Sequence, residues 1–182
     1  MKAITFLGLG KYEETTYEYS QKQVTTRFFT LALPQFFPEL QQVLVFVTPK
    51  VRESEHLSIL QRELGNLMCI VDIPNGNTEA ELWEIFDALI ENVQPGDELI
   101  FDITHSFRSL PFLTFLVAAY LRIARQVKVQ HVLYGAYQAR GGNSQIAPVF
   151  DLSPFVELLD WITATQQMLD TGNAQRIAKF LI

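Results

Sequence analysis

Several apolar runs along the chain are continuous rather than alternating. Residues 4–7 end at Gly8, Val43-Leu44-Val45-Phe46-Val47 ends at Thr48-Pro49, and residues 67–73 end at Pro74-Asn75-Gly76. Glu98-Leu99-Ile100-Phe101-Asp102-Ile103 follows the turn Pro95-Gly96-Asp97, and residues 129–134 form the fifth run. A strand with no polar face is covered on both sides, which marks a parallel sheet between helical layers. Helical patterns fill the gaps. Thr78-Glu79-Ala80-Glu81 is a capping box that opens a helix with Leu82, Ile85, Phe86, Leu89 and Ile90 on one face. Residues 54–64 read as a shorter helix closed by Gly65, and residues 27–37 as another, bent or ended near Pro34 and Pro38. The alternation predicts an α/β sandwich with right-handed crossovers, whose ligand crevice lies beyond the carboxyl ends of the strands.

Two segments depart from that rhythm. Residues 11–23 contain Thr15-Thr16-Tyr17-Glu18-Tyr19, so a hairpin or edge strand follows the first core strand. Residues 155–169 space Phe155, Leu158, Leu159, Ile162 and Met168 for one helix face, and Thr171-Gly172-Asn173 stops that helix. A further helix over 174–182 ends on Phe180-Leu181-Ile182, which reads as a domain boundary or as a surface that packs on a partner. No repeat or linker interrupts residues 1–153, taken as one ligand-binding domain; residues 154–182 are C-terminal helices, an interface or the start of a following domain.

Composition narrows the class. Of 182 residues, 48% are apolar and only 19% charged, and 14 are Phe. Soluble domains carry roughly 25% charged residues, so this chain is expected to bury extra surface in a homodimer. The net charge of −6 argues against a grip on duplex nucleic acid, which needs dense Lys and Arg coverage, but leaves room for a small anion held by local donors. The single Cys69 excludes an internal disulfide framework and reads as a core thiol in a reducing, cytoplasmic setting. The longest apolar stretch, residues 110–121, is broken by Pro111, Thr114 and Tyr120 and is too short for a membrane span.

Two loops can carry chemistry. In Gly8-Leu9-Gly10-Lys11-Tyr12 the glycines allow a sharp turn and close approach to a ligand, and backbone N–H groups with Lys11 suit phosphate. Glu13 stands where a dinucleotide fingerprint needs its third glycine, so that motif is absent. In Thr104-His105-Ser106-Phe107-Arg108-Ser109-Leu110-Pro111 a buried strand runs into an apolar helix. Pro111 belongs in the first helical turn, with Ser109 or a residue just before it as the cap. Helix N–H groups and Arg108 make an anion site, with Ser106 or Thr104 able to bond phosphate or sugar oxygens. The competing reading has Asp102 buried against Arg108 and His105 merely solvated. Thr48-Pro49-Lys50 faces the same crevice, and after Gly135 or beside it Tyr134 or Tyr137 is placed to stack on a base. Arg140-Gly141-Gly142-Asn143 reads as a hairpin tip. No G-x-S-x-G elbow or Walker A motif occurs, and His56, His105 and His131 lack metal-ligand spacing.

At these residues the sequence resembles a known family. Phe6 to Tyr17 and the run Phe101 to Pro111 are similar to the CARF (CRISPR-associated Rossmann fold) domains of type III CRISPR ancillary proteins, the Csx1/Csx2-like group in particular. The resemblance implies a Rossmann-like three-layer sandwich that dimerises and senses cyclic oligoadenylate, cyclic tetra-adenylate above all, in antiviral defence. Carried onto this chain, Gly8, Leu9, Gly10, Lys11, Tyr12, Thr48, Pro49, Lys50, Thr104, His105, Ser106, Phe107, Arg108 and Gly135 line the pocket. It implies no cofactor. A HEPN ribonuclease usually follows such a domain, and no R-x4-6-H pair follows Pro154, so this chain is not expected to cut RNA that way. Some members also cleave their ligand without metal, for which Lys50, Ser106 and Arg108 are the candidates. A stand-alone ring nuclease and a Rossmann-like domain for another nucleotide are the competing readings.

Overall fold

The computed structural model describes residues 1–106, 109–140 and 146–178, the side chain of Arg176 excepted. The chain opens with β1 (Lys2–Leu7) and continues into the hairpin β2 (Thr15–Tyr19) and β3 (Lys22–Thr26). After α1 (Leu33–Phe36) come β4 (Gln42–Val47), α2 (Pro49–Arg52), α3 (Glu55–Leu64) and β5 (Met68–Asp72). Then α4 (Glu79–Glu91), β6 (Glu98–Asp102), α5 (Leu110–Ala124) and β7 (Lys128–Gly135) complete the alternation. The described chain ends with β8 (Ile146–Asp151), α6 (Ser153–Thr171) and α7 (Gln175–Ala178).

These strands form one sheet in the order β3-β2-β8-β7-β6-β1-β4-β5. Within it, β5, β4, β1, β6 and β7 run parallel. β8 is antiparallel to β7, β2 runs parallel to β8, and β3 is antiparallel to β2. The fold is therefore α/β with a mostly parallel central sheet, as the continuous apolar runs require. Side chains alternate faces along a strand, so β1 and β4 serve two cores. Ala3, Leu7, Val43, Val45 and Val47 pack with Phe28, Phe29, Leu57 and Leu60 on one face. Ile4, Phe6, Leu44 and Phe46 pack with Ile85, Leu89, Val117, Leu121 and Val156 on the other.

Helix punctuation follows local chemistry. The Thr78 hydroxyl accepts from Glu81 N–H at 3.2 Å, but the returning Glu81 carboxylate takes the N–H of Asn77 rather than that of the cap residue. Gly65 has φ 53° and ψ −126°, a backbone region that glycine alone enters freely. Ser109 caps α5 by position, yet its hydroxyl makes no capping bond and its backbone is already helical.

Three expectations need correction. Residues 27–37 do not form a helix: a 3₁₀ turn at Phe29–Leu31 precedes the four-residue α1. Phe28 is extended, with φ −118° and ψ 121°, so no helix runs through it. β8 was not singled out in the sequence beyond the reading of Arg140-Gly141-Gly142-Asn143 as a hairpin tip; its Pro148 sits at the last rung of the pairing with β2. Cys69 is half-buried, since β5 has a neighbour on one side only. Neither Gly8 nor Gly10 has positive φ, so the loop after β1 does not depend on a glycine-only backbone turn. The helix after 174 is described only as α7; Phe180, Leu181 and Ile182 lie outside the described residues, as do Gly141, Gly142 and Asn143.

Candidate functional site

The parallel strands deliver their following loops to one edge of the sheet. With β1 flanked by β6 and β4, the loop after Leu7 sits between the loops after Asp102 and Val47. Behind that edge runs a buried polar chain. The Thr5 hydroxyl donates to Asp102 Oδ2 at 2.7 Å and lies 3.1 Å from the Thr30 hydroxyl, while Thr104 N–H donates to Asp102 Oδ1 at 2.8 Å. Burial pushes the Asp102 carboxyl up to about 6, with the Thr5 and Thr104 donors opposing. The Thr104 hydroxyl accepts from Gly135 N–H at 2.8 Å. Gly135 is required there: a Cβ would lie 2.8 Å from Tyr17 Cε1 and 3.1 Å from Thr104 Cγ2. Asp102 is thus buried against threonines, and through them the carboxyl ends of β1, β6 and β7 are tied together.

Two recesses open above this chain. The larger, about 450 Å³, is lined by Gly8, Leu9, Gly10, Tyr12, Thr48, Lys50, Val51, Asn75, Asn77 and His105. It unites three sequence-distant segments singled out from the chain. The smaller, about 240 Å³, is lined by Lys11, Tyr12, Thr104, His105, Gly135, Tyr134 and Tyr137, together with Glu13, Tyr17, Arg27 and Gln138. Tyr12 and His105 belong to both and stand between them, ring centroids 4.5 Å apart. Lys50 is exposed in the first turn of α2, which begins at Pro49 with Thr48 as its cap residue. Lys11 is exposed and lies 3.9 Å from Glu13. Phe107 and Arg108 lie outside the described residues.

Two side chains in the loop after β6 are turned inward. His105 Nε2 accepts from Phe29 N–H at 3.1 Å, so its proton sits on Nδ1. Burial drives the imidazole down to about 4, and at neutral pH it brings shape and a dipole but no charge. The Ser106 hydroxyl donates to the Ile103 carbonyl at 2.7 Å. His105 is therefore a positioned, half-buried group rather than a solvated one. Among the described residues, no cluster of three or more His, Cys, Asp or Glu is placed to hold a metal ion.

Sequence reasoning overlooked Asn77 and read Asn75 only as a turn residue after the third run. The rule that picked the other loops, the carboxyl end of a parallel strand, applies equally to them. Arg27, just past the end of β3, gave no such signal, and Glu13 in the loop after β1 was noted only as the residue that breaks a dinucleotide fingerprint. Arg27 Nε donates to the Tyr12 carbonyl at 3.1 Å, and the Tyr137 hydroxyl donates to Glu13, whose carboxyl it holds below the usual range.

Comparison with known proteins agrees with this fold. The chain is 36% identical over 121 residues to CRISPR-associated protein MJ1674 of Methanocaldococcus jannaschii, a match that covers 65% of this chain and 19% of that longer protein. The family model described as the CARF domain of the CRISPR system endoribonuclease Csx1 matches residues 2–137, which include β1 through β7 and every loop of the cleft. The chain belongs to the Csx1 CARF domain family.

Proposed function

We propose that this chain is a sensor domain of type III CRISPR defence that binds cyclic oligoadenylate, cyclic tetra-adenylate by preference, across a homodimer two-fold axis. The observation that carries the reading is the cleft itself. Gly8 and Gly10, Lys50, Asn75, Asn77 and His105 converge from four strand ends on one recess. Backbone N–H groups and Lys50 supply donors for phosphate, the Asn amides match the edge of adenine, and Tyr134 and Tyr137 offer faces for its ring. A ring of four nucleotides has a two-fold axis, so two copies of one cleft suit it.

The dimer reading rests on exposed apolar stripes. Phe112, Leu116, Tyr120 and Ile123 run along α5, and Phe155, Leu158 and Ile162 along α6, where Phe112 is 68% and Ile162 63% exposed. Burying each such side chain is worth about 1.5–3 kcal/mol, and α5 starts at the loop that contributes His105 to the cleft. A second copy seated there sets two clefts side by side. We assign residues 1–153 to the ligand-binding domain and residues 154–182 to helices that join it to a partner or a following effector.

Binding is favoured over cleavage as the primary role. His105 has its Nε2 committed and Ser106 its hydroxyl turned to a carbonyl, so neither serves as base or nucleophile as placed. Calorimetry with cyclic tetra-adenylate should give one ring per two chains, and Arg108→Ala should weaken binding at least 10-fold with the fold intact. Binding of a mononucleotide but not of the ring would overturn the reading. Incubation of labelled ring with stoichiometric protein, without metal, tests the remaining activity: an intact ring after hours excludes a ring nuclease.

A further inference from the structure

We infer that Tyr12 is an internal stand-in for the ligand, its hydroxyl occupying a main-chain donor meant for a phosphate oxygen and its ring dividing one cleft into two recesses. The inference rests on the reading of the cleft as a nucleotide site and adds the device that governs entry to it.

The oxygen comes first. Gly8 N–H donates to the Tyr12 phenol oxygen at 2.9 Å, and Gly10 stands close by, the position of an added Cβ 4.0 Å from the same oxygen. A main-chain donor of a strand-end loop, held on a single oxygen, is the kind of group that takes an anion. A neutral phenol uses it weakly: a hydrogen bond to a charged acceptor is roughly twice as strong. Burial raises the Tyr12 pKa, so the phenol stays neutral at physiological pH and yields this donor to an anion.

The ring comes second. It lies among Phe28, His56 and His105, with centroids 5.1, 5.0 and 4.5 Å away, and it borders both the 450 Å³ and the 240 Å³ recess. Of the groups around the ring, His105 is neutral, His56 Nδ1 lies 3.5 Å from the Gly8 carbonyl, and the Arg27 guanidinium is held on the Tyr12 carbonyl rather than on the phenol. Swinging the ring outward releases the Gly8 N–H and joins the recesses. A ligand with several phosphates and bases fills the joined space and replaces the lost ring contacts; a mononucleotide fills one recess and does not. Tyr12 therefore sets a threshold of ligand size.

Tyr12→Phe separates the two parts, removing the competing hydroxyl and keeping the ring. Gly8 and Gly10 amide resonances, followed by NMR during titration with inorganic pyrophosphate, should respond at about 5-fold lower concentration in Tyr12→Phe than in the wild type, the equivalent of one neutral hydrogen bond. Calorimetry with cyclic tetra-adenylate should show the same direction of change. Tyr12→Ala should narrow the preference for the ring over AMP, because the wedge is gone. Equal or weaker pyrophosphate binding by Tyr12→Phe overturns the proposal whatever the ring does, whereas failure of the wild type to bind the ring overturns the functional reading alone.

Discussion

Asp102 and His105 stand three residues apart, and burial moves them in opposite directions. The Asp102 carboxyl rises from an ordinary 3.8 to about 6 in the fold. Its contribution to stability is complete below about pH 4 and is lost as pH rises through 6, by about 3 kcal/mol at 1.36 per pKa unit. His105 falls from 6.5 to about 4. Its contribution is complete above pH 6.5 and is lost as pH falls toward 4, again by about 3 kcal/mol. The two slopes oppose over nearly the same window, so the wild type should show a nearly flat stability between pH 4 and 6.5. Asp102→Asn, which keeps an acceptor for Thr104 N–H, should unmask the histidine: urea midpoints at pH 4, 5 and 6 should then drop steadily with acid, and a flat profile in the variant would refute the assignment. Both residues were conspicuous in the sequence as polar groups at the end of an apolar strand. Their environment was not, because Thr5 and Thr30, which complete the buried chain, come from another strand and from a turn mistaken for helix.

At the scale of elements, the chain announces itself wherever one rule acts alone. Continuous β-branched runs gave all five parallel strands, and Thr78, Ser54 and Gly65 mark helix ends by their own hydrogen bonding and backbone freedom. The hairpin tip is the opposite case. Ser20 and Gln21 both adopt positive φ, at 49° and 66°, as a two-residue turn with the twist of its strands demands, yet neither is the Asn or Gly that signals such a turn. An L residue in that region costs about 1–2 kcal/mol. The double substitution Ser20→Asn, Gln21→Gly should therefore raise stability by about 1 kcal/mol, read as a higher thermal midpoint; an unchanged or lower midpoint would mean that these side chains contribute contacts of their own. β8 was illegible for a related reason. Pro148 argues against a strand locally, and only the arrival of β2 and β7 on either side makes extended backbone there worthwhile.

For the molecule as a whole, low charge and abundant Phe pointed to more apolar surface than one domain can cover, and the exposed stripes on α5 and α6 are where that surplus lies. Which helices would carry it was not readable, since their periodic apolar positions serve the interior and the outside together. The proposed two-fold assembly makes Phe112 a central contact at the start of α5. Phe112→Glu should convert a dimer to a monomer in light scattering and weaken cyclic tetra-adenylate binding by at least 10-fold; a dimer that persists would move the interface elsewhere. The topology has a further consequence in time. β2 lies near the start of the chain, and its rungs Thr16 to Ile146 and Tyr17 to Ala147 join residues 130 positions apart. Pairing over such separations is slow, because loop closure precedes any gain from contact. During synthesis the hairpin has its own β2–β3 bonds but no docking strand until β8 has emerged. The smaller recess, which Glu13, Tyr17 and Gly135 help to line, is completed last, so the two recesses stand side by side only once the whole sheet has closed.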